Sequence, residues 1–312
     1  MKASQEDVRI APDPAEGSAD GPSGGPSDGP EGGPSGGIAL SVVVPTFKER
    51  DNIAEIVARL DRVLAGIGWE VIFVDDASPD GTADAVRVIA RHDTRVRLIL
   101  RHNRRGLSSA VVEGALAASG EVVAVMDGDL QHDESVLPEL YAAVAVPPAG
   151  TDASGNAPGN APGDAPGDAP EIASASRFLR EDGADGLSSA RRLQISNTGI
   201  RIANAAFGLR MTDPLTGFFA MRRAVLLRAL PRLSGLGFKI LLDLVTAAEP
   251  RPRITELPFR FRERLHGESK LDNRVMYDFF LFFIEKKIGR FLPLPARFIS
   301  FSMINAVGIA VH

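Results

Sequence analysis

Apolar and polar positions alternate in blocks along the first half of this 312-residue chain. Four short runs, LSVVV (40–44), EVIFV (70–74), VRLIL (96–100) and EVVAVM (121–126), are rich in β-branched residues. Such near-continuous apolar runs predict strands buried on both faces. Between the first two, Ile53, Ile56, Val57, Leu60, Val63, Leu64 and Ile67 recur with helical spacing on one face. Asp51 or Asn52 is placed to cap that helix. Residues 82–91 and 107–118 are two further helix candidates. Strand and helix in alternation predict an α/β fold with a parallel sheet covered by helices on both sides.

Three polar motifs follow the predicted strands: PTFKE (45–49), DDASPDGT (75–82) and DGDLQ (127–131). In such sheets ligands bind beyond the carboxyl ends of the strands, so the three motifs predict a site rather than incidental loops. Asp127 and Asp129 are two residues apart just past a strand end, and both can turn toward one ligand. Carboxylates that close repel one another unless a positive group joins them. Hard oxygen donors without cysteine suit Mg²⁺ or Mn²⁺, with Gln131 as a further neutral oxygen. An isolated D-x-D reads equally well as a solvated turn, with Asp133 and Glu134 serving the next helix. The preceding strand and the two companion motifs favour the metal. His132 reads as a surface or capping residue and is left out of the site. Ser-Pro-Asp-Gly is a good turn sequence with Thr82 as a helix cap. Even so, Asp75 or Asp76 directly after a buried strand could accept hydrogen bonds from a ribose or base edge.

Composition adds boundaries. Residues 1–37 are Gly, Pro, Ser and acids, which predicts a disordered tail. Residues 147–170 contain the repeat NAPGNAPGDAPGDAP and predict a low-complexity surface insertion in a domain spanning 38–278. The absence of cysteine excludes disulfides and thiolate metal sites and points to a reducing compartment. Residues 1–170 hold 13 Lys and Arg against 27 Asp and Glu, and residues 171–312 hold 22 against 13. A basic second half points to anionic ligands or an anionic membrane surface. With two Tyr and one Trp for base stacking, nucleic acid is not expected as a partner.

Seven motifs in order carry a family resemblance: SVVVPTFKERDNI, EVIFVDDASPDGT, RGLSSAVVEGALAASGEVVAVMDGDLQH, SRF, DPLTGFFAMRR, GFKILLDL and RERLHGESKL. Together they closely resemble the family 2 glycosyltransferases, nearest the branch that mannosylates dolichyl or polyprenyl phosphates. The resemblance implies a GT-A (Rossmann-like) fold with C-terminal membrane-associated helices, GDP-mannose as donor, Mg²⁺ or Mn²⁺, and a polyprenyl or dolichyl phosphate acceptor. It implies that Pro45, Phe47, Glu49, Val74 and Asp76 line the nucleoside pocket. Asp127, Gly128, Asp129 and Gln131 would hold metal and diphosphate. Arg177, Arg192, Arg264 and Lys270 would contact the diphosphate and the acceptor phosphate, with Asp129, Arg192 and Arg264 closest to the chemistry. Arg191, Lys239 and Arg262 belong to the same basic set, whereas Arg222, Arg223 and Arg228 read as a solvated face. Phe47-Lys48 replaces the family's usual Tyr-Asn, and Gly128 its usual Ala. Other readings are transfer of glucose or another sugar, a nucleotide-binding protein without turnover, and a membrane adaptor; the last leaves the strand-end motifs unexplained.

The chain closes with FFLFFIEKKIGRFLPLPARFISFSMINAVGIAVH (279–312). Its first part predicts an amphipathic helix with Lys286, Lys287 and Arg290 suited to a membrane surface. The apolar run from Phe298 to His312 is shorter than the roughly 20 residues that span a bilayer and reads as the start of a transmembrane segment. A membrane-associated enzyme with its site on the cytoplasmic face is the expectation. The composition of 147–170 generates a first test. Replacing the segment with a short Gly/Ser link is expected to leave the melting temperature and activity nearly unchanged, because a solvated linker buries almost nothing.

Overall fold

Burial of the four apolar runs builds the centre of the molecule. The computed structural model describes residues 37–145, 169–180, 190–234, 239–262, 282, 283 and 286, with backbone alone for 190–195. The chain divides into Met1–Ser35 and Gly36–His312, and the described residues belong to the second. The runs form β1 (Leu40–Thr46), β2 (Trp69–Asp75), β3 (Val96–Leu100) and β4 (Val122–Val125). Between them lie α1 (Ile53–Val63), α2 (Thr82–Ala90) and α3 (Leu107–Leu116). β1 pairs in parallel with β2 and with β4, and β2 with β3. β3 is half-buried beyond Val96 rather than buried on both faces, because it forms the edge of the sheet.

The second half departs from the all-parallel expectation. It adds α4 (Leu137–Val144), β5 (Ile172–Ser176), α5 (Ala190–Phe207), β6 (Phe219–Arg222), α6 (Arg223–Ala229), α7 (Ile240–Ala247) and β7 (Ile254–Pro258). The seven-stranded order is β3-β2-β1-β4-β6-β5-β7, with β6 antiparallel to both of its neighbours. The result is an α/β fold with a mixed sheet. Its antiparallel strand matters for the site: Val125, the last residue of β4, pairs with Phe219, the first of β6. The turn that enters β6 therefore lies beside the turn that leaves β4.

Helices cover both faces. On one, α1, α2 and α4 pack through Ile53, Ile56, Leu60, Val86, Leu137 and Leu140. On the other, α3, α6 and α7 pack through Val111, Ala115, Val225, Leu226, Leu241 and Leu244. Gly114 lets α3 approach β1 closely, since a Cβ there would lie 2.5 Å from Val43 Cγ1. Asn52 occupies the start of α1 without capping it. Its amide bridges two site loops instead, as described below.

Two expectations about basic residues are corrected. Arg228 pairs with Glu171 at 2.7 Å, and Arg222 Nε donates to Val144 O, so these are not solvated charges. Lys286 does not face outward. Its Nζ sits 2.5 Å from Oδ1 of the fully buried Asp243 on α7 and donates to Arg232 O at 2.8 Å. A buried carboxylate requires a counter-charge, and that requirement turns Lys286 inward. One turn earlier Phe282 and Phe283 pack on Phe207, with ring centroids 6.0 and 5.1 Å away. Residues 1–36, 147–168, Lys287, Arg290 and the apolar run 298–312 lie outside the described residues. Among the described residues, no helix is long and apolar enough to cross a membrane.

Lys286→Met is expected to lower stability by about 3 kcal/mol, because removing one partner leaves a buried charge uncompensated. A fall of several degrees in melting temperature checks it. Asp243→Asn combined with Lys286→Met should recover part of the loss.

Candidate active site

Three strand-end turns meet because β2, β1 and β4 are adjacent and parallel. Each turn is held by the next. Lys48 N–H donates to Ser78 Oγ at 2.9 Å, and Glu49 N–H to Thr82 Oγ1 at 3.1 Å. Asn52 Nδ2 donates to Glu49 Oε2 at 2.6 Å and to Gly128 O at 3.1 Å, joining the first motif to the third. Asp80 accepts the Thr82 N–H at 3.1 Å and takes the capping role expected of Thr82.

These turns enclose a cavity of about 260 Å³. Pro45, Phe47, Glu49, Val74 and Asp76 line it together with Asp127, Gly128 and Asp129. Thr46 and two α3 residues, Leu107 and Ala110, complete the wall and were not singled out by motif reading. Arg105 lies over the Phe47 ring, 4.9 Å from its centroid. A Cβ on Gly128 would come within 3.2 Å of Thr46 Cγ2, so alanine there requires a small adjustment.

The two aspartates of DDASPDGT divide their work. Asp75 is fully buried and accepts from Ser78 N–H at 2.8 Å, Ser78 Oγ at 2.5 Å and Thr46 Oγ1 at 3.2 Å. It organises the turn and, fully buried, does not line the cavity. Asp76 accepts from Arg101 Nε at 2.7 Å and from Gly106 N–H at 3.0 Å. Arg101, itself buried, also bonds Ser109 Oγ and Gly106 O. Gly106 has a φ of 145°, a conformation that glycine tolerates. A buried arginine has no sequence signature apart from its neighbours, so this support was not foreseen.

The DGDLQ turn is shaped by Leu130, whose φ of 61° is unusual for a bulky residue. Gln131 N–H donates to Asp129 Oδ1 at 3.1 Å, and Gln131 Nε2 to Arg262 O at 3.1 Å. Asp133 accepts Ser135 N–H at 3.2 Å, as expected of a helix-starting acid. His132 is a correction: it is buried, and its Nδ1 accepts the Asp127 N–H at 3.0 Å. Its ring stacks on Phe218 at 4.9 Å, which explains its burial. It supports the turn from within the core.

Asp127 and Asp129 both border the cavity, Asp127 more exposed and Asp129 buried. Among the described residues no third His, Cys, Asp or Glu joins them in a metal-binding cluster. Two carboxylates with room in front of them fit a hard cation that retains water or phosphate oxygens as its other ligands. They do not fit a closed structural site.

The antiparallel β6 brings basic groups to this edge. Arg177 follows β5 directly, and its Nε lies 2.9 Å from Oδ2 of the buried Asp213. Burial pushes the Asp213 carboxyl up, against the pull of Arg177 and Lys239. Lys239 donates to Leu215 O at 3.2 Å. Burial, and then Arg177, push its ammonium down to about 8, while Asp213 and Asp127 act in the other direction. Gly217 abuts Asp127, where a Cβ would lie 3.4 Å from Oδ2. Glu256 on β7 receives the N–H groups of Thr212 and Asp213, fixing that turn. Arg262 is spent on Asp133 and Glu134. Arg191 and Arg192 fall on α5 where only the backbone is described, and Arg264 and Lys270 lie outside the described residues.

Known proteins resemble this arrangement at two levels. In fold the chain is similar to glucosyl-3-phosphoglycerate synthase from Mycobacterium tuberculosis, solved with Mn²⁺, UDP-glucose and phosphoglyceric acid. The TM-score is 0.54 at 16% identity, covering 80% of each chain, a likeness of fold. In sequence it is 32% identical to a dolichol-phosphate mannosyltransferase of Pyrococcus furiosus, over 88% of this chain and 70% of that one. It is 34% identical to the enzyme of that name from Saccharomyces cerevisiae, over 78% of this chain and 84% of the other. The family model for glycosyl transferase family 2 matches residues 41–227, from β1 through the DGDLQ turn to α6. With the strand-end cavity and its paired aspartates, that match makes the chain a glycosyltransferase, a member of glycosyl transferase family 2.

Proposed function

We propose that the chain transfers mannose from GDP-mannose to a polyprenyl, dolichyl-type phosphate, with inversion at the anomeric carbon and with a divalent metal. The observation that carries the reading is the convergence of Asp127, Asp129 and the first two strand-end motifs on one cavity. Relatives named dolichol-phosphate mannosyltransferase, 32–34% identical, support the sugar and the acceptor.

In this reading the nucleoside lies against Pro45, Phe47, Glu49, Val74 and Asp76. Asp127, Asp129 and the Gln131 side chain would hold Mg²⁺ or Mn²⁺, whose charge, when bound, offsets that of the departing nucleoside diphosphate. The acceptor is a phosphate monoester with a second pKa of about 6, already ionised at neutral pH. Its oxygen attacks the anomeric carbon as the bond to the diphosphate oxygen breaks, and GDP leaves. No strong general base is needed, consistent with a buried His132 engaged in backbone support. Arg177 and Lys239 offer positive charge at the same edge, and Arg192, Arg264 and Lys270 are assigned to the phosphates by motif. Catalysis would rest on positioning and charge compensation. The lipid acceptor and the basic second half of the chain support a membrane-associated enzyme with its site on the cytoplasmic face.

Asp129→Asn removes a charge while keeping shape and is expected to lower transfer by about 100-fold or more with little change in melting temperature. Near-normal turnover with metal present would remove Asp129 from the site. The donor is tested by offering labelled GDP-mannose and UDP-glucose with a short polyprenyl phosphate and Mg²⁺ or Mn²⁺. Labelled lipid is expected from GDP-mannose, and labelling from UDP-glucose alone would replace mannose with glucose.

A further inference from the structure

Arg262 belongs by motif to the phosphate-facing set, but its contacts describe a different task. Its backbone N–H donates to Gln131 O at 2.8 Å, and its carbonyl accepts Gln131 Nε2 at 3.1 Å. Its guanidinium donates to Asp133 Oδ1 at 2.8 Å and to Glu134 Oε2 at 2.9 Å. Arg262, four residues past the end of β7, thus holds Gln131 through its main chain and the Asp133–Glu134 segment that follows through its side chain. Arg59 on α1 approaches the same Glu134 oxygen at 3.5 Å, tying the acid to α1 as well.

The grip has a directional consequence. A primary amide carries its oxygen and nitrogen on opposite prongs. With Nε2 committed to Arg262 O, the Gln131 Oε1 is turned away from that carbonyl. The Gln131 N–H in turn holds Asp129 Oδ1 at 3.1 Å. The Arg262 carbonyl, Gln131 and Asp129 form a chain of hydrogen bonds ending on a cavity-lining carboxylate, and the guanidinium bonds to Asp133 and Glu134 seat the Arg262 main chain against that turn. Leu130, between Asp129 and Gln131, holds a left-handed φ that few side chains adopt unaided.

We propose that Arg262 is a positioning residue for the divalent-cation site: it fixes the Asp129–Gln131 turn in its ligating arrangement and does not bind phosphate. The inference rests on the metal-dependent reading above. Partners that orient metal ligands typically change metal affinity by about 10–100-fold when removed. A phosphate contact would act on substrate affinity at any metal concentration.

The experiment titrates Mn²⁺ into the full-length protein, with and without GDP, following free Mn²⁺ by electron paramagnetic resonance. Arg262→Ala is expected to weaken Mn²⁺ binding about tenfold or more. Arg262→Lys should restore part of it, and excess Mn²⁺ should recover most of the transfer rate. Asp133→Asn keeps an oxygen acceptor but removes the charge facing the guanidinium; it is the second variant should Arg262→Ala fail to fold, and should give an intermediate loss of Mn²⁺ affinity. Unchanged Mn²⁺ affinity with a raised KM for the acceptor phosphate would make Arg262 a phosphate ligand and overturn the inference. Unchanged affinity without that rise overturns it as well. If the wild-type protein binds no Mn²⁺ even with GDP, the metal-dependent reading itself falls, an outcome distinct from failure of the variants alone.

Discussion

Everything polar at the carboxyl edge of a buried sheet must find a partner or a ligand, and that constraint orders this molecule. β1, β2 and β4 end side by side, and their turns meet one another over the buried strand ends. Asn52 meets the requirement for Gly128 O and Glu49 together, and Thr82 for the Glu49 N–H. Asp75 is taken up by its own turn and by Thr46 of β1. Asp127 and Asp129 border the open cavity, with Asp129 also accepting the Gln131 N–H within its own turn.

The mixed sheet adds the cationic half. Because β6 runs against β4, the turn carrying Asp213 and Gly217 returns to the edge where β4 ends. Arg177, leaving β5, arrives there too. Positive groups from distant parts of the chain thereby face the acidic turn without lying near it in sequence. The buried Asp213 limits how much bare positive charge collects there, and Glu256 holds its turn from β7.

Much of the first half was legible. Continuous Val and Ile runs allow little other than buried strands, and all four appear within a few residues of their expected bounds. The cavity wall was legible too, since motifs that follow adjacent parallel strands must share an edge. The antiparallel β6 was not, because FAMR is short and carries no periodicity that declares direction. Roles decided by tertiary partners were also hidden. His132 and Lys286 have the composition of surface residues, yet one fills an aromatic cage around Phe218 and the other answers a buried carboxylate. Arg101 and Arg262 likewise look like any other arginine until the acids around them are known.

Gly114 shows how far from the reacting groups the width of the cavity is set. Leu107 and Ala110, which form part of the wall, lie three and four residues apart from one another and from Gly114 along one face of α3. The absent methyl at the far end of that face lets the whole helix settle onto Val43. Any side chain there would collide with Val43 and Val74, so the strand side chains or the helix that carries the wall would have to shift. The width of this cavity thus depends on the seam between α3 and the sheet, at a glycine outside its lining.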